Sequence, residues 1–75
     1  MPHIHIKLLE GKTEEQKQRL TKAVVKAAQE EIGYGDESYS VRIEDFTYSE
    51  WKQKVYPRDI VAHKDHLYKE PGYEM

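Results

Sequence analysis

The sequence predicts an α+β fold: a strand, an amphipathic helix and a second strand, followed by short C-terminal helices. Three observations carry this reading. Two runs of alternating polar and apolar residues flank one long stretch with helical periodicity. The chain has 75 residues and no cysteine, so any stability must come without disulfides. A proline stands directly after Met1 at the mouth of the first alternating run, one of the few places where a strand tolerates it. The expected organisation is one domain over 1–75, with a βαβ core at about 2–45 and a helical extension at about 46–75.

From His3 the chain alternates His, Ile, His, Ile, Lys, Leu, which puts Ile4, Ile6 and Leu8 on one face of a strand. Glu10-Gly11-Lys12 reads as a turn. Thr13-Glu14-Glu15-Gln16 has the form of a capping box, and the two glutamates suit the positive end of a helix dipole. Leu20, Ala23, Val24, Ala27, Ala28 and Ile32 recur at three- and four-residue spacing. They predict a helix of about 20 residues, roughly 30 Å long, stopped by Gly33 and the Tyr34-Gly35-Asp36 break.

A second alternating run covers Ser38 to Glu44. Tyr39, Val41 and Ile43 share one face; Ser40, Arg42 and Glu44 share the other. Strand, helix, strand implies a right-handed crossover between two parallel strands. Two strands are marginal alone, and a second copy of the chain would cover their open face and edges.

In the last third, Thr47 to Trp51 reads as a cap and the first turn of a short helix through Val55. Pro57 is expected to interrupt it, and Arg58 to Lys69 to form another helix with Ile60, Val61, His63, Lys64 and Leu67 near one side. Trp51, Tyr56, Tyr68 and Tyr73 are expected to cover the sheet or a subunit contact.

Chains this short bury only about 60% of their unfolded surface, which makes self-association the leading way to complete a core. The net charge of −2 and the lack of any basic run argue against nucleic-acid binding. No stretch approaches the roughly 20 apolar residues of a membrane span, and the start lacks the apolar core of a signal peptide. A cytoplasmic, oligomeric protein is expected, with neither nucleic acid nor membrane as partner.

Pro2 is the candidate for chemistry, although a Met-Pro start is by itself a weak signal that many proteins share with no catalytic purpose. Methionine aminopeptidase generally removes Met1 when a small residue follows, and removal would turn the Pro2 nitrogen from an amide into a secondary amine. An α-amino group has a reference pKa of about 7.7–8. An apolar pocket or nearby cations would lower it towards neutrality, where a base on a rigid strand end suits proton transfer. The same nitrogen could instead attack a carbonyl. Removing a proton beside a carbonyl builds enolate charge, which fixed cations stabilise. Lys12, just after the first strand, and Arg42, on the polar face of the second, are the candidates. Set against this, Lys12 reads as a solvated turn lysine, and Arg42 as one half of a salt bridge with Glu44 of a neighbouring strand or another subunit's carboxylate.

Residues Pro2 to Lys17, PHIHIKLLEGKTEEQK, resemble the amino-terminal signature of the tautomerase superfamily, specifically the 4-oxalocrotonate tautomerase family. Ser40-Val41-Arg42-Ile43 is similar to its second strand. Ser49-Glu50-Trp51 and Lys69-Glu70-Pro71-Gly72-Tyr73 resemble its longer, PptA-like subgroup, so the likeness covers nearly the whole chain. The resemblance implies the tautomerase (MIF-like) fold and an isomerase whose N-terminal proline moves a proton between carbon and oxygen of a small 2-keto acid or its enol, without a cofactor. It implies Pro2 as the catalytic residue, and Arg42, Lys12 and Trp51 as substrate-binding residues. Lysine departs from the arginine usual at the turn, offering a point charge where arginine offers a bidentate fork. Short members form hexamers and longer ones dimers, so a homodimer is expected, with a hexamer as the alternative.

Other readings stay open. His3 and His5 share a strand face, and His63 and His66 are three apart, but no further ligands stand at a recognisable spacing, and no metal is expected. If Met1 stays attached, the chain would be a non-catalytic oligomeric binding module that keeps the fold. Hydration or dehalogenation of an unsaturated acid would require a water-activating carboxylate, and neither Glu10 nor Glu44 stands out as one.

Overall fold

The first strand, β1 (His3–Leu9), pairs with β2 (Ser40–Phe46) in a two-stranded parallel sheet. The structure, a computed structural model, describes residues 1–75. They divide into two compact units, Met1–Asp45 and Phe46–Met75.

In the first unit the strands are joined by helix α1 (Glu14–Ile32) and a 3-10 turn over Asp36–Ser38. The predicted capping box is present. The Gln16 N–H donates to Thr13 Oγ1 at 3.1 Å, and the Thr13 N–H donates to Gln16 Oε1 at 2.9 Å. Replacing Thr13 by alanine removes the acceptor and is expected to cost about 1 kcal/mol of stability, read as a lower urea midpoint with an unchanged slope. Gly33 closes α1 with its N–H donated to Gln29 O, at φ 80 and ψ −145, a conformation open to glycine and strained for residues with a Cβ. Tyr39 ties the loop back by donating its hydroxyl to Gly33 O at 2.7 Å.

The second strand begins two residues later than the alternation suggests, because Asp36–Ser38 form a 3-10 turn and leave Tyr39 outside the strand. Lys7 and Glu44 of the polar set are half-buried, as are Ile4, Ile6, Leu8, Val41 and Ile43. The helix face over them is rotated from the predicted one: Leu20, Thr21, Val24, Val25 and Ala28 are half-buried, whereas Ala23, Ala27 and Ile32 are exposed. Lys17 on this face reaches across to Asp45 Oδ2 at 2.5 Å, and that hydrogen bond holds the Lys17 ammonium above the ordinary lysine range. No residue of the first unit is fully buried. A helix and two strands cover each other only on one side, so most apolar side chains here stay half-exposed.

In the second unit, α2 (Tyr48–Glu50) runs without a break into a π-helical segment, Trp51–Ile60, and then a 3-10 helix, Val61–His66, with non-helical angles at His63. Pro57 therefore lies inside the winding and does not interrupt it. A proline ring clashes with the carbonyl four residues back and supplies no N–H; a wider i→i+5 turn moves that carbonyl away. The coil ends at His66, short of the expected Lys69. Val55 is the residue buried at its centre, 3% exposed.

Thr47 and Glu50 form a second capping box: the Glu50 N–H donates to Thr47 Oγ1 at 3.1 Å, and the Thr47 N–H donates to Glu50 Oε1 at 2.8 Å. The bond from the Thr47 backbone holds the Glu50 carboxyl below its ordinary range. A carboxyl depressed by folding adds stability above its unfolded pKa, and that contribution is lost as pH falls through the folded value. Between neutral and acid pH the wild type is expected to lose more stability than Glu50→Gln, measured as urea midpoints at both ends.

Candidate active site

Pro2 sits half-buried at the head of β1, and its carbonyl accepts the Ser40 N–H at 3.3 Å. That bond fixes the residue through its carbonyl side. Its nitrogen side carries only Met1, which is fully exposed at 100%.

On the sheet face away from α1, the polar residues of the two strands meet in register. His3 Nδ1 and Ser40 Oγ are hydrogen-bonded at 2.6 Å. His5 Nε2 lies 3.0 Å from Glu44 Oε1, and Arg42 Nη2 lies 3.5 Å from the same oxygen. Arg42 is two residues along β2 from the one that bonds Pro2, and its side chain is 61% exposed. Pro2 and Arg42 thus belong to adjoining strand ends. The salt bridge read for Arg42 exists, with Glu44 of its own strand as partner.

Lys12 is exposed and follows Gly11, whose φ of 113 is a conformation that glycine adopts and side-chain-bearing residues avoid. The seven residues of β1 stand between Pro2 and this turn. At about 3.3 Å per residue they span roughly 20 Å, so one chain does not bring Lys12 to its own Pro2.

Trp51 belongs to the second unit. It is half-buried, donates Nε1–H to the Tyr73 hydroxyl at 3.1 Å, and meets Phe46 edge-on at 6.2 Å. Tyr73 also packs on Tyr56, with centroids 5.8 Å apart. Beside them is a cavity of about 240 Å³ lined by Tyr56, Ile60, Lys64, Leu67, Pro71 and Tyr73. Three of the four tail aromatics therefore cluster, and Tyr68 stands free in solvent. Of the residues expected near one side of a helix, Ile60, Val61, Lys64 and Leu67 line the cavity and His63 does not.

The histidines have local roles. His3 and His5 engage Ser40 and Glu44 respectively, and the His63 and His66 rings lie 6.5 Å apart at a tilt. No three His, Asp or Glu side chains converge on a point. Sequence reasoning passed over His5 as a partner for Glu44. The strand register held the signal, because alternation puts both residues on the polar face.

The tautomerase enzyme family model matches residues 2–55, beginning at Pro2. The chain belongs to the tautomerase family. This tautomerase is 36% identical over 73 residues to a probable tautomerase of Xylella fastidiosa, covering 97% of its own length and 89% of the relative. It is 34% identical to tautomerase PptA of Pectobacterium carotovorum, with 97% of each chain covered. A 2-hydroxymuconate tautomerase of Bacillus subtilis is 42% identical over 45 residues, 60% of this chain and 73% of that one. Among solved structures, YwhB, a homologue of 4-oxalocrotonate tautomerase, matches with a TM-score of 0.59 and 39% identity over 61% of this chain and 75% of that one. The tautomerase is thus a keto-enol isomerase with an α+β fold, similar along nearly its whole length to the PptA-like members. None of its helices is long and apolar enough to cross a membrane.

Proposed function

We propose that the enzyme interconverts the enol and keto forms of a small 2-keto acid, of the phenylpyruvate kind, with the amine of Pro2 as the proton carrier once Met1 is gone. The observation that carries this reading is the position of Pro2. It is anchored by its carbonyl at a strand end, with only an exposed methionine on its nitrogen. The amine takes the enol hydroxyl proton as the carbonyl forms, then returns a proton to the adjacent carbon; the reverse order runs the reaction backwards. No net charge is gained, and no metal or organic cofactor is called for.

Arg42 binds the carboxylate or steadies the developing oxyanion, where a charge-assisted contact strengthens as charge builds. Lys12 serves the same purpose at a neighbouring copy's proline, since it stands a strand's length from its own. The family resemblance offers Trp51, hydrogen-bonded to Tyr73, as an aromatic for substrate contact. A homodimer fits the half-covered first unit, which holds no fully buried residue. The relative named for 2-hydroxymuconate, itself an enolic acid, supports the substrate class.

The test pairs intact mass, to establish that Met1 is absent, with ultraviolet monitoring of phenylpyruvate enol ketonisation. Processed protein is expected to ketonise the enol well above the buffer rate. A rate equal to buffer would sink the proposal.

A further inference from the structure

The oxygen Glu44 Oε1 is shared between two donors, His5 Nε2 at 3.0 Å and Arg42 Nη2 at 3.5 Å. All three side chains are partly open to solvent, at 31%, 34% and 61% for His5, Glu44 and Arg42. One carboxylate facing two cationic partners cannot neutralise both. With His5 neutral, Arg42 and Glu44 cancel and the trio carries no net charge. With His5 protonated, Glu44 is balanced by the imidazolium and the trio carries one positive charge, presented by the exposed guanidinium.

We propose that Glu44 is a positioning residue that sets how much of the Arg42 charge reaches a substrate carboxylate, and that His5 controls this through its protonation. This rests on the reading of Arg42 as the carboxylate-binding residue. The charge of the trio therefore depends on whether the His5 imidazole carries one proton or two. The other ionisable groups on this face are His3, engaged with Ser40, Lys7 of β1 and, once Met1 is gone, the Pro2 amine at the head of β1. On the opposite face α1 contributes Lys17, which is held by Asp45. The consequence is a site that admits carboxylate substrates more readily on the acid side of neutrality. Exposed ion pairs are modest in strength, so the effect is a few-fold change in apparent affinity, without a switch between on and off.

The experiment follows KM and kcat for phenylpyruvate enol with processed protein from about pH 5 to 8. Alongside it, the inhibition constant of 3-phenylpropionate, a carboxylate with no carbonyl to enolise, reads binding without proton transfer. For the wild type both KM and the inhibition constant are expected to rise about two- to fivefold with pH. His5→Gln is expected to shrink that rise to the part owed to the Pro2 amine, which every variant shares, and to leave both constants close to the wild-type high-pH level. Glu44→Gln is expected to lower both at high pH by a similar factor. Circular dichroism checks that each variant folds. If His5→Gln and Glu44→Gln follow the wild-type profiles while Arg42→Ala is impaired, the coupling proposed here is wrong and the role of Arg42 stands. If Arg42→Ala itself matches the wild type, the carboxylate reading falls and takes this proposal with it.

Discussion

Replacing Pro2 by alanine is expected to lower kcat/KM for enol ketonisation by about a hundredfold, and a chain that keeps Met1 to lose the activity altogether. The two outcomes differ for a chemical reason. Alanine is also small enough for Met1 to be removed, so the variant keeps a terminal amine, but a primary one free to rotate about φ. Positioned acid–base groups contribute about 10² to 10⁴ in rate, and the variant forfeits most of that through lost positioning. With Met1 in place the nitrogen is a tertiary amide whose lone pair is delocalised into the carbonyl, so it has no basic pair to offer. Initial rates on mass-verified samples separate the three forms. An alanine variant as fast as the wild type would remove the proline from the mechanism.

The second large effect is expected at Arg42. Hydrogen bonds to charged partners are worth about 1.5–3 kcal/mol, so Arg42→Ala should lower kcat/KM about 10- to 100-fold. Most of this should appear in KM if the guanidinium binds the carboxylate equally in substrate and transition state, and in kcat if it meets the oxyanion only as charge develops. Arg42→Lys should recover part of the loss, since it restores the charge without the planar fork. Saturation curves for the three proteins decide between the two modes.

The capping box at Thr13 to Gln16 and the glycine at 33 made both ends of α1 legible, because caps are local chemistry written in adjacent residues. The strand faces were equally plain, since a period of two leaves little freedom. The helix stripe was harder to read. Alanines at 23 and 27 match the spacing of Leu20 and Val24, yet they carry so little apolar area that the face settled towards Thr21 and Val25. Pro57 misled for a related reason. Its rule assumes α geometry, whereas the chain widens into a π-helix through Trp51–Ile60. Pro2 and Arg42 could be located because one directly precedes, and the other belongs to, a strand with a clear register. Lys12 and Trp51 could not be joined to them, because a residue's number says nothing of which copy of the chain, or which distant segment, completes a pocket. The Trp51–Tyr73 hydrogen bond spans 22 residues of sequence, and no local pattern announces such a bond.

The single hydrogen bond from Ser40 to the Pro2 carbonyl has a practical side. Proline has no N–H to give, so whatever precedes it makes no demand on the sheet ladder. If the Pro2 amine is the proton carrier, an affinity tag fused ahead of Pro2 would leave the sheet ladder intact and remove the activity, so the protein would be easily mistaken for an inactive family member. A tag at the far end, or a protease that cuts cleanly before Pro2, keeps the Pro2 nitrogen free.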